Sequence, residues 1–384
     1  MMKVLFILDD YLIKDRYGGG DIIARSIVSG LKKKGHTVKV ACNGDENNII
    51  DTEKEIFRIL TPKYTWKKSL LYELSSNIVG DKRRLSELLS GFKPDIIYCL
   101  HLGGVAVPVI SWLDKVGILK VYRIGYEWVR LHYYPKKSKC DNLKLQFAIF
   151  NSSDLLERHA QYLVPGSRWI MIPNGVDTSL FRHHKHCISR GELRLIFVGR
   201  IVPHKGLHIL ISAMRILKSN ITEKKLCLTI IGTPAKKEYE ALLRNRIKEE
   251  ELQELIQWVG GVPHENIPKY LDRSDMLIFP SIKREGNRTV EGCPSVILES
   301  LAAGLPVVAR ITPGVDEIVE DKKTCIGVYH DDPQELAGRI RYLADNPSLY
   351  SKISESGTKI IDQKYGFDEM IRRTEDFLAG CAHK

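Results

Sequence analysis

The strongest constraint on the fold is the alternation of short, continuously apolar runs with longer amphipathic segments. Strands that are apolar on both faces are typical of a parallel sheet covered by helices on each side. A polar stretch from His183 to Arg190, without periodicity, separates two such series and indicates a linker. The predicted strands are Val4–Leu8, Val38–Cys42, Ile96–Leu100, Ile118–Ile124, Phe147–Phe150 and Trp169–Ile172 before it, and Leu193–Val198, Leu226–Ile231, Ile256–Val259, Met276–Phe279, Val307–Ala309 and Ile326–Tyr329 after it.

Between these runs, apolar residues recur at helical spacing. A chain of 384 residues also exceeds one comfortable hydrophobic core. We therefore predict an α/β fold with two doubly wound domains, residues 1–182 and 183–366, that face each other across a cleft at the carboxyl ends of their strands. Helices are predicted near 21–34, 67–90, 103–114 and 153–162, over Leu207, Leu210, Ile211, Met214 and Leu217, and within 367–384, roughly from Asp368 to Leu378.

The formal net charge of +11 favours anionic partners, although a well-solvated basic surface accounts for it equally well. The basic residues are not interleaved with an RNA-binding or helix-turn-helix pattern, so nucleic acid is not predicted as a partner. Aromatic and leucine residues among the lysines of 63–72 indicate a basic amphipathic helix. Such a helix either touches an anionic membrane peripherally or packs on its own domain.

The sequence predicts a cytoplasmic protein. Its eight cysteines occur singly, without metal-ligand spacing, which is typical of reduced thiols. Val4–Leu8 is too short for the core of a secretory signal. Ile96–Leu113 carries no formal charge, but its His, Gly and Pro residues favour a buried strand, a glycine loop and a packed helix over a membrane span.

The run from Glu291 to Glu299 is the first candidate site. Helix-start signals at Pro294 and Ser295 place Glu291 in a loop and Glu299 about one turn inside the helix. The free backbone N–H groups of a helix start suit a diphosphate, and the two carboxylates would accept hydrogen bonds from sugar hydroxyls on either side. Two ordinary surface glutamates around a buried helix would give the same pattern.

Two further loops follow predicted strands. Arg200 and Lys205 lie between a strand end and a helix start, where two cations can neutralise a diphosphate, although a solvated loop is the alternative. Gly19 and Gly20 follow the first strand and would let the backbone approach a ligand closely, although a tight turn is equally consistent. The sequence contains no dinucleotide fingerprint, no Walker A loop and no Asp-x-Asp metal motif, so neither a cofactor nor a metal is expected.

These motifs together resemble the retaining glycosyltransferases of family 4, which have the GT-B fold of two Rossmann-like domains. The resemblance is dense in the second half and thin in the first. It rests on the order and spacing of Ile172–Asp177, Phe197–Arg200, Lys205-Gly206, Ile230–Gly232, Trp258–Gly260, Leu277–Ser281, Glu291–Glu299, Pro306–Ala309 and Gly314–Val319.

The resemblance implies a role for each matching residue. It implies that Glu299 holds the nucleotide ribose, that Glu291 contacts the donor sugar, and that Arg200 and Lys205 hold the diphosphate. It also implies that the final helix crosses back onto the first domain. Further donor-binding residues implied are Gly292, Cys293, Pro294, Ser295, Val296 and Ile297 around the phosphate and sugar, and Val262 and Pro263 near the base.

One departure concerns a histidine that many family members carry near the end of the strand that here runs into Tyr126 and Glu127. No histidine occurs there. His101, at the end of the preceding strand, either faces the same cleft or is structural. We therefore take His101, Tyr126 and Glu127 as candidates for the acceptor side.

The chemistry implied is metal-independent transfer of a hexose-type sugar from a UDP- or GDP-sugar, with retention, to a glycan, a lipid-linked or a small-molecule acceptor. Arg200, Lys205 and the helix start would stabilise the leaving diphosphate electrostatically. A non-catalytic protein of the same fold and a sugar-nucleotide epimerase remain alternatives. Transfer or hydrolysis of the donor would exclude the first, and product analysis would exclude the second.

Overall fold

The computed structural model divides the chain into two compact units. The first contains most of the chain up to Pro173 together with the C-terminal segment from Met370, and the second contains Asn174 to Glu369 together with Gly19. The residues described are 1–9, 11, 19–44, 55–61, 76–105, 107–126, 144–182, 186, 188, 191–221, 223–282 and 291–382.

The first unit is built on a parallel sheet. Val4 lies opposite both Val38 and Ile96, in the two neighbouring strands. The strands among the described residues are β1 Lys3–Ile7, β2 Thr37–Asn43, β3 Ile56–Leu60, β4 Ile96–Leu100, β5 Leu119–Ile124, β6 Leu145–Phe150 and β7 Leu163–Met171. They lie in the order β3-β2-β1-β4-β5-β6-β7, so the winding direction reverses between β1 and β4. Ligands bind doubly wound sheets at such reversals.

Helices cover this sheet: α1 Gly19–Lys33, α2 Ser76–Phe92, α3 Val107–Leu113 and α4 Ser153–His159. The uncharged stretch forms β4, a short 3₁₀ turn and α3, as the sequence predicted. None of the helices among the described residues is both long and apolar enough to cross a membrane. Strand β3 was not predicted from the sequence, and the basic segment 63–72 lies outside the described residues.

The second unit contains another parallel sheet. Its strands among the described residues are β8 Glu192–Val198, β9 Lys225–Ile231, β10 Ile256–Gly260, β11 Met276–Phe279, β12 Val307–Arg310 and β13 Ile326–Val328, in the order β10-β9-β8-β11-β12-β13. The winding direction reverses between β8 and β11. The carboxyl ends of these two strands are therefore the expected place for a ligand.

Both faces of the second sheet are buried, as its continuously apolar strands predicted. Along β8, Leu195 and Phe197 join one buried cluster, and Ile196 between them joins another. Leu210 and Leu298 come from the helices over the two faces. The helices among the described residues are α5 Leu207–Asn220, α6 Lys237–Glu249, α7 Ile267–Leu271, α8 Ser295–Ala302, α9 Pro333–Ala344 and α10 Pro347–Lys364.

The last helix, α11 Phe367–Ala382, packs from Met370 onward on the first unit. Its Glu375 accepts hydrogen bonds from His36 and Lys34 at 2.8 Å each. The guanidinium of Arg168 in β7 donates to the carbonyl oxygen of Gly380 at 2.7 Å. These contacts fix the end of the chain against β7 and the turn between α1 and β2.

Candidate active site

The loop after β8 holds the two predicted cations. Arg200 lies exposed just beyond the strand, and Lys205 ends a 3₁₀ turn that leads into α5. Gly206, between Lys205 and the helix, has a φ of 71°, and a Cβ there would overlap the carbonyl oxygen of Pro280 at the end of β11. Glycine is required at this position, and it brings Lys205 close to the chain that follows β11.

Lys205 forms an ion pair with Glu291, the first glutamate of the E-x7-E run. The hydroxyl of Ser281 also donates to the same carboxylate at 3.4 Å, and Lys205 Nζ lies 5.3 Å from the ring centre of Phe279. Burial raises the pKa of Glu291, but the charge and hydrogen bond of Lys205, together with the charges of His204 and Arg200, more than reverse this, so the pKa lies below its usual value of 4.5. Glu291 is therefore an anion at neutral pH.

The residues between Glu291 and the helix are held by backbone contacts. Gly314 has a φ of 88°, and a Cβ there would overlap the carbonyl oxygen of Gly292. The side-chain amide of Asn174 donates to the carbonyl oxygen of Cys293 at 2.7 Å, and its backbone N–H donates to the sulfur at 3.3 Å. This loop is therefore fixed from two sides before the helix begins.

Helix α8 begins at Ser295, as the sequence predicted. Pro294 supplies no side-chain cap, and the first turn contains no acidic residue. Within the described part of the chain, the helix therefore begins without a side-chain cap from its N-cap residue and without a carboxylate in its first turn to oppose its positive dipole end. An anion such as a diphosphate fits this environment. Ile297 points into the core, fully buried.

Glu299 lies one turn further along α8 and is only 6% exposed. Its Oε1 lies 2.9 Å from Nε2 of His264, which starts a 3₁₀ turn after β10. Val262 and Pro263, predicted to lie near a nucleotide base, immediately precede this histidine and are half-buried. The loop after β10 and the interior of α8 therefore meet at a carboxylate.

In the first unit, Gly20 and His101 lie in contact at the reversal between β1 and β4. His101 has a left-handed φ of 52°, uncommon for a residue with a side chain. A Cβ at Gly20 would overlap its imidazole, and a Cβ at Gly125 would lie 3.2 Å from its Nε2. Its ring meets Tyr126 edge to face at 5.0 Å. Gly19 precedes Gly20 as the first residue of α1, and Glu127 lies outside the described residues.

Burial, followed by the positive charge of Arg123, lowers the pKa of His101 from 6.5 to about 4. The imidazole is therefore neutral at physiological pH, and one of its nitrogens accepts hydrogen bonds. Gly20 and Gly125 leave space for this imidazole at the carboxyl ends of the parallel strands, where doubly wound sheets bind ligands.

His264, Ser281 and Asn174 were not predicted individually as site residues from the sequence. His264 directly follows the predicted base-contacting segment, and Asn174 lies within a family-like motif, so both had a sequence signal. Ser281 also ends such a motif, after β11. The contacts that these side chains make depend on residues distant in the chain, which a single sequence does not specify. Among the described residues, no group of three or more His, Cys, Asp or Glu side chains is arranged to hold a metal ion.

The overall architecture is that of a GT-B protein. The chain superposes on the crystal structure of Anabaena Alr3699/HepE in complex with UDP-glucose with a TM-score of 0.77, covering 99% of this chain and 100% of that one at 18% identity. At this identity the likeness shows the fold alone. Residues 181–360 match the family model for glycosyl transferases group 1, and residues 17–180 match that for glycosyltransferase family 4. The chain belongs to this family of glycosyltransferases.

Curated relatives agree with this assignment. The amylovoran biosynthesis glycosyltransferase AmsK of Erwinia amylovora is 35% identical over 44% of this chain and 40% of its own. A GDP-mannose-dependent alpha-(1-6)-phosphatidylinositol monomannoside mannosyltransferase of Mycobacterium tuberculosis is 26% identical over 60% of this chain and 61% of its own. The chain spans about half the length of the curated relatives it matches.

Proposed function

We propose that this protein transfers a hexose-type sugar from a UDP- or GDP-sugar to a glycan, a lipid-linked or a small-molecule acceptor, with retained anomeric configuration and without a metal ion. The observation that carries the proposal is the ion pair of Lys205 and Glu291 beside the uncapped start of α8. A cation, an anion and free amides then meet at the carboxyl ends of β8 and β11, where the winding direction reverses.

Each group has a task in the proposed reaction. The bond between the anomeric carbon and the diphosphate breaks, and the negative charge that develops on the diphosphate is stabilised by Lys205, Arg200 and the amides of α8. The acceptor hydroxyl attacks from the same face and its proton passes to the departing phosphate oxygen. Glu291, held as an anion, orients the sugar and favours the positive charge that develops on the ring. Glu299 binds the ribose hydroxyls.

The names of the relatives support the donor and acceptor classes. AmsK is named for amylovoran biosynthesis, and the mycobacterial relative is named as dependent on GDP-mannose. The structural neighbour is in complex with UDP-glucose. These names favour a nucleotide-sugar donor and a role in polysaccharide or glycolipid synthesis. Both UDP- and GDP-sugars are therefore included in the test.

The test is a thermal-shift panel of UDP- and GDP-sugars against the purified protein, first without and then with Mg²⁺ or Mn²⁺. A ligand at one hundred times its Kd stabilises the native state by about 2.7 kcal/mol, so a true donor will stand out. A selective shift without metal, followed by transfer or slow hydrolysis of that donor, is the expected result. A shift that appears only with the divalent ion would overturn metal independence. No shift with any nucleotide would overturn the proposed activity.

We extend the proposal to a cytoplasmic protein that contacts an anionic membrane peripherally through its basic first half. The net charge of +11 supports attraction to such a surface. Co-sedimentation with vesicles of anionic and of neutral lipids at low salt tests it. Binding to the anionic vesicles that is lost at high salt is expected, and equal failure to bind both kinds would overturn it.

A further inference from the structure

The contact between His264 and Glu299 joins the loop after β10 to the interior of α8. Nε2 of the imidazole lies 2.9 Å from Oε1 of the carboxylate. Both side chains are largely enclosed, with 18% and 7% of their surfaces exposed. Hydrogen bonds of a carboxylate in such a setting are stronger than those on an open surface, because less water competes for the acceptor.

The imidazole is itself fixed in place. Its ring lies 5.2 Å from the ring of Phe181, which is only 1% exposed. A 3₁₀ turn from His264 to Asn266 fixes the backbone at its base. The ring is therefore held by a buried aromatic on one side and by the turn below, and it presents one nitrogen to the carboxylate.

The geometry assigns the proton in this contact. An ionised carboxylate only accepts hydrogen bonds, so Nε2 of His264 must carry the hydrogen and donate it to Oε1. Oε1 of Glu299 is then engaged by His264, whereas Oε2 makes no hydrogen bond to the residues that the structure describes and keeps its lone pairs for a ligand. A glutamate fixed in this way has already lost the side-chain entropy that binding would otherwise cost it.

We propose that His264 is a positioning residue for nucleotide recognition: it holds Glu299 so that the free carboxylate oxygen accepts hydrogen bonds from the ribose hydroxyls of a nucleoside diphosphate. The inference rests on the proposed function, since it assigns ribose binding to Glu299. It adds that the selection of a ribonucleotide over a 2′-deoxyribonucleotide depends on a histidine that does not itself touch the nucleotide.

The test measures the affinity of UDP, GDP and their 2′-deoxy counterparts by isothermal titration calorimetry in the wild-type protein and in H264L and H264Q. For the wild type, loss of the 2′-hydroxyl is expected to weaken binding about tenfold. In H264L the ratio of the Kd of the 2′-deoxynucleotide to that of the parent nucleotide should fall towards one. The parent nucleotide itself should bind about tenfold more weakly than to the wild type. H264Q, whose amide nitrogen reaches the position of Nε2 and can donate, should restore most of the discrimination.

Steady-state kinetics with the preferred donor give a second readout. H264L should raise KM for the donor and leave kcat nearly unchanged, because the ribose contact is the same in the ground and transition states. His330 provides a matched control, since its Nδ1 lies 2.9 Å from Glu335 in an exposed pair of the same unit. H330L should leave both the affinity and the 2′-hydroxyl ratio unchanged.

The outcomes separate the two proposals. If the folded wild type binds neither UDP nor GDP, the proposed function fails and this inference fails with it. If the wild type discriminates and H264L, with an unchanged unfolding midpoint, discriminates equally well, only the inference is overturned. If H264L unfolds, the H264Q variant decides, because loss of discrimination in a folded H264Q also contradicts the hydrogen-bonding role.

Discussion

The ion pair between Lys205 and Glu291 places two opposite charges where each is only 15% exposed. Partly buried charges lose hydration, and the pair is favourable only while both members are present. Removing one leaves the other partly buried without its counter-charge. The pair therefore holds the two side chains next to each other in the protein without a ligand, and a bound diphosphate and sugar would meet them already in place.

The first prediction concerns the substitution Glu291→Gln. Glutamine keeps the size of the side chain but removes the charge that orients the sugar and pairs with Lys205. We expect kcat for transfer or donor hydrolysis to fall by about 100-fold or more, as when a preorganised electrostatic group is removed. The unfolding midpoint should change by only a few degrees.

Glu320 offers a matched control, because it pairs with Lys323 at 2.7 Å on an exposed surface of the same unit. Exposed pairs contribute little, so E320Q should behave as the wild type in both assays. Near-normal turnover in E291Q would contradict the role given to Glu291.

The second prediction is a pH dependence of stability that originates at His101. Its pKa is about 4 in the native state, against a usual 6.5. Between pH 4 and pH 6.5 the unfolded chain therefore binds more protons than the native protein. The contribution of the neutral imidazole to the free energy of unfolding is therefore complete above pH 6.5. It is lost as the pH falls towards 4, by up to about 3 kcal/mol. Denaturant titrations of the wild type and H101N should show this slope only in the wild type.

Asparagine is the suitable replacement because it tolerates the left-handed backbone that His101 adopts. His330, whose side chain is 80% exposed, supplies the control, and H330N should keep the slope of the wild type. An unchanged slope in H101N would show that the imidazole takes up its proton as easily in the native protein as in the unfolded chain.

At the scale of elements, the turn between β8 and α5 determines where Lys205 lies. The third prediction is that Gly206→Ala disrupts this turn, because a Cβ meets the carbonyl oxygen of Pro280 and the φ of 71° is unfavourable for alanine. We expect a loss of stability of about 2–4 kcal/mol and weaker nucleotide binding. Denaturant unfolding and calorimetric titration measure the two effects.

Gly338, in the interior of α9, is the matched control, since a Cβ there meets nothing within 4 Å and its φ is not positive. G338A should leave nucleotide binding unchanged and raise stability by up to about 1 kcal/mol, because alanine is the better helix former. If G206A is as stable as the wild type and binds the nucleotide equally well, the turn does not determine the position of Lys205.

The elements show which part of the fold the sequence could predict. β4 and β11 were predicted with their observed bounds, since a short, fully apolar run bounded by polar residues is an unambiguous signal for a buried strand. β3 Ile56–Leu60 was missed because Arg58 interrupts its apolar pattern and the strand lies at the edge of the sheet. Edge strands need fewer apolar residues, so their sequence signal is weaker.

The candidate site was predictable only in part, for a related reason. The positions of Glu299 inside α8 and of Glu291 before it follow from local helix-start signals. The contact of Glu291 with Lys205 depends on how the loops after β8 and β11 meet, and that of Glu299 with His264 on the loop after β10. Tertiary packing sets these pairings, and residue spacing along the chain does not encode them.

At the scale of the whole molecule, the described residues form two units with separate hydrophobic cores. One buried cluster covers one face of the first sheet, and two others cover the faces of the second. The predicted phosphate- and ribose-binding residues belong to the second unit, whereas His101 and Gly20 belong to the first. A nucleotide without its sugar should therefore stabilise mainly the second unit.

The fourth prediction follows from this division. Hydrogen–deuterium exchange with saturating UDP or GDP should show slower exchange in the peptides that contain Lys205–Leu207, His264 and Ser295–Glu299. The reason is that ligand binding suppresses the local opening through which these amides exchange, in proportion to the occupancy. Peptides from α9, which contacts none of these residues through its described hydrogen bonds, serve as the internal control. Protection confined to the first unit would place the nucleotide site at the end of β4 instead, with His101 as its centre.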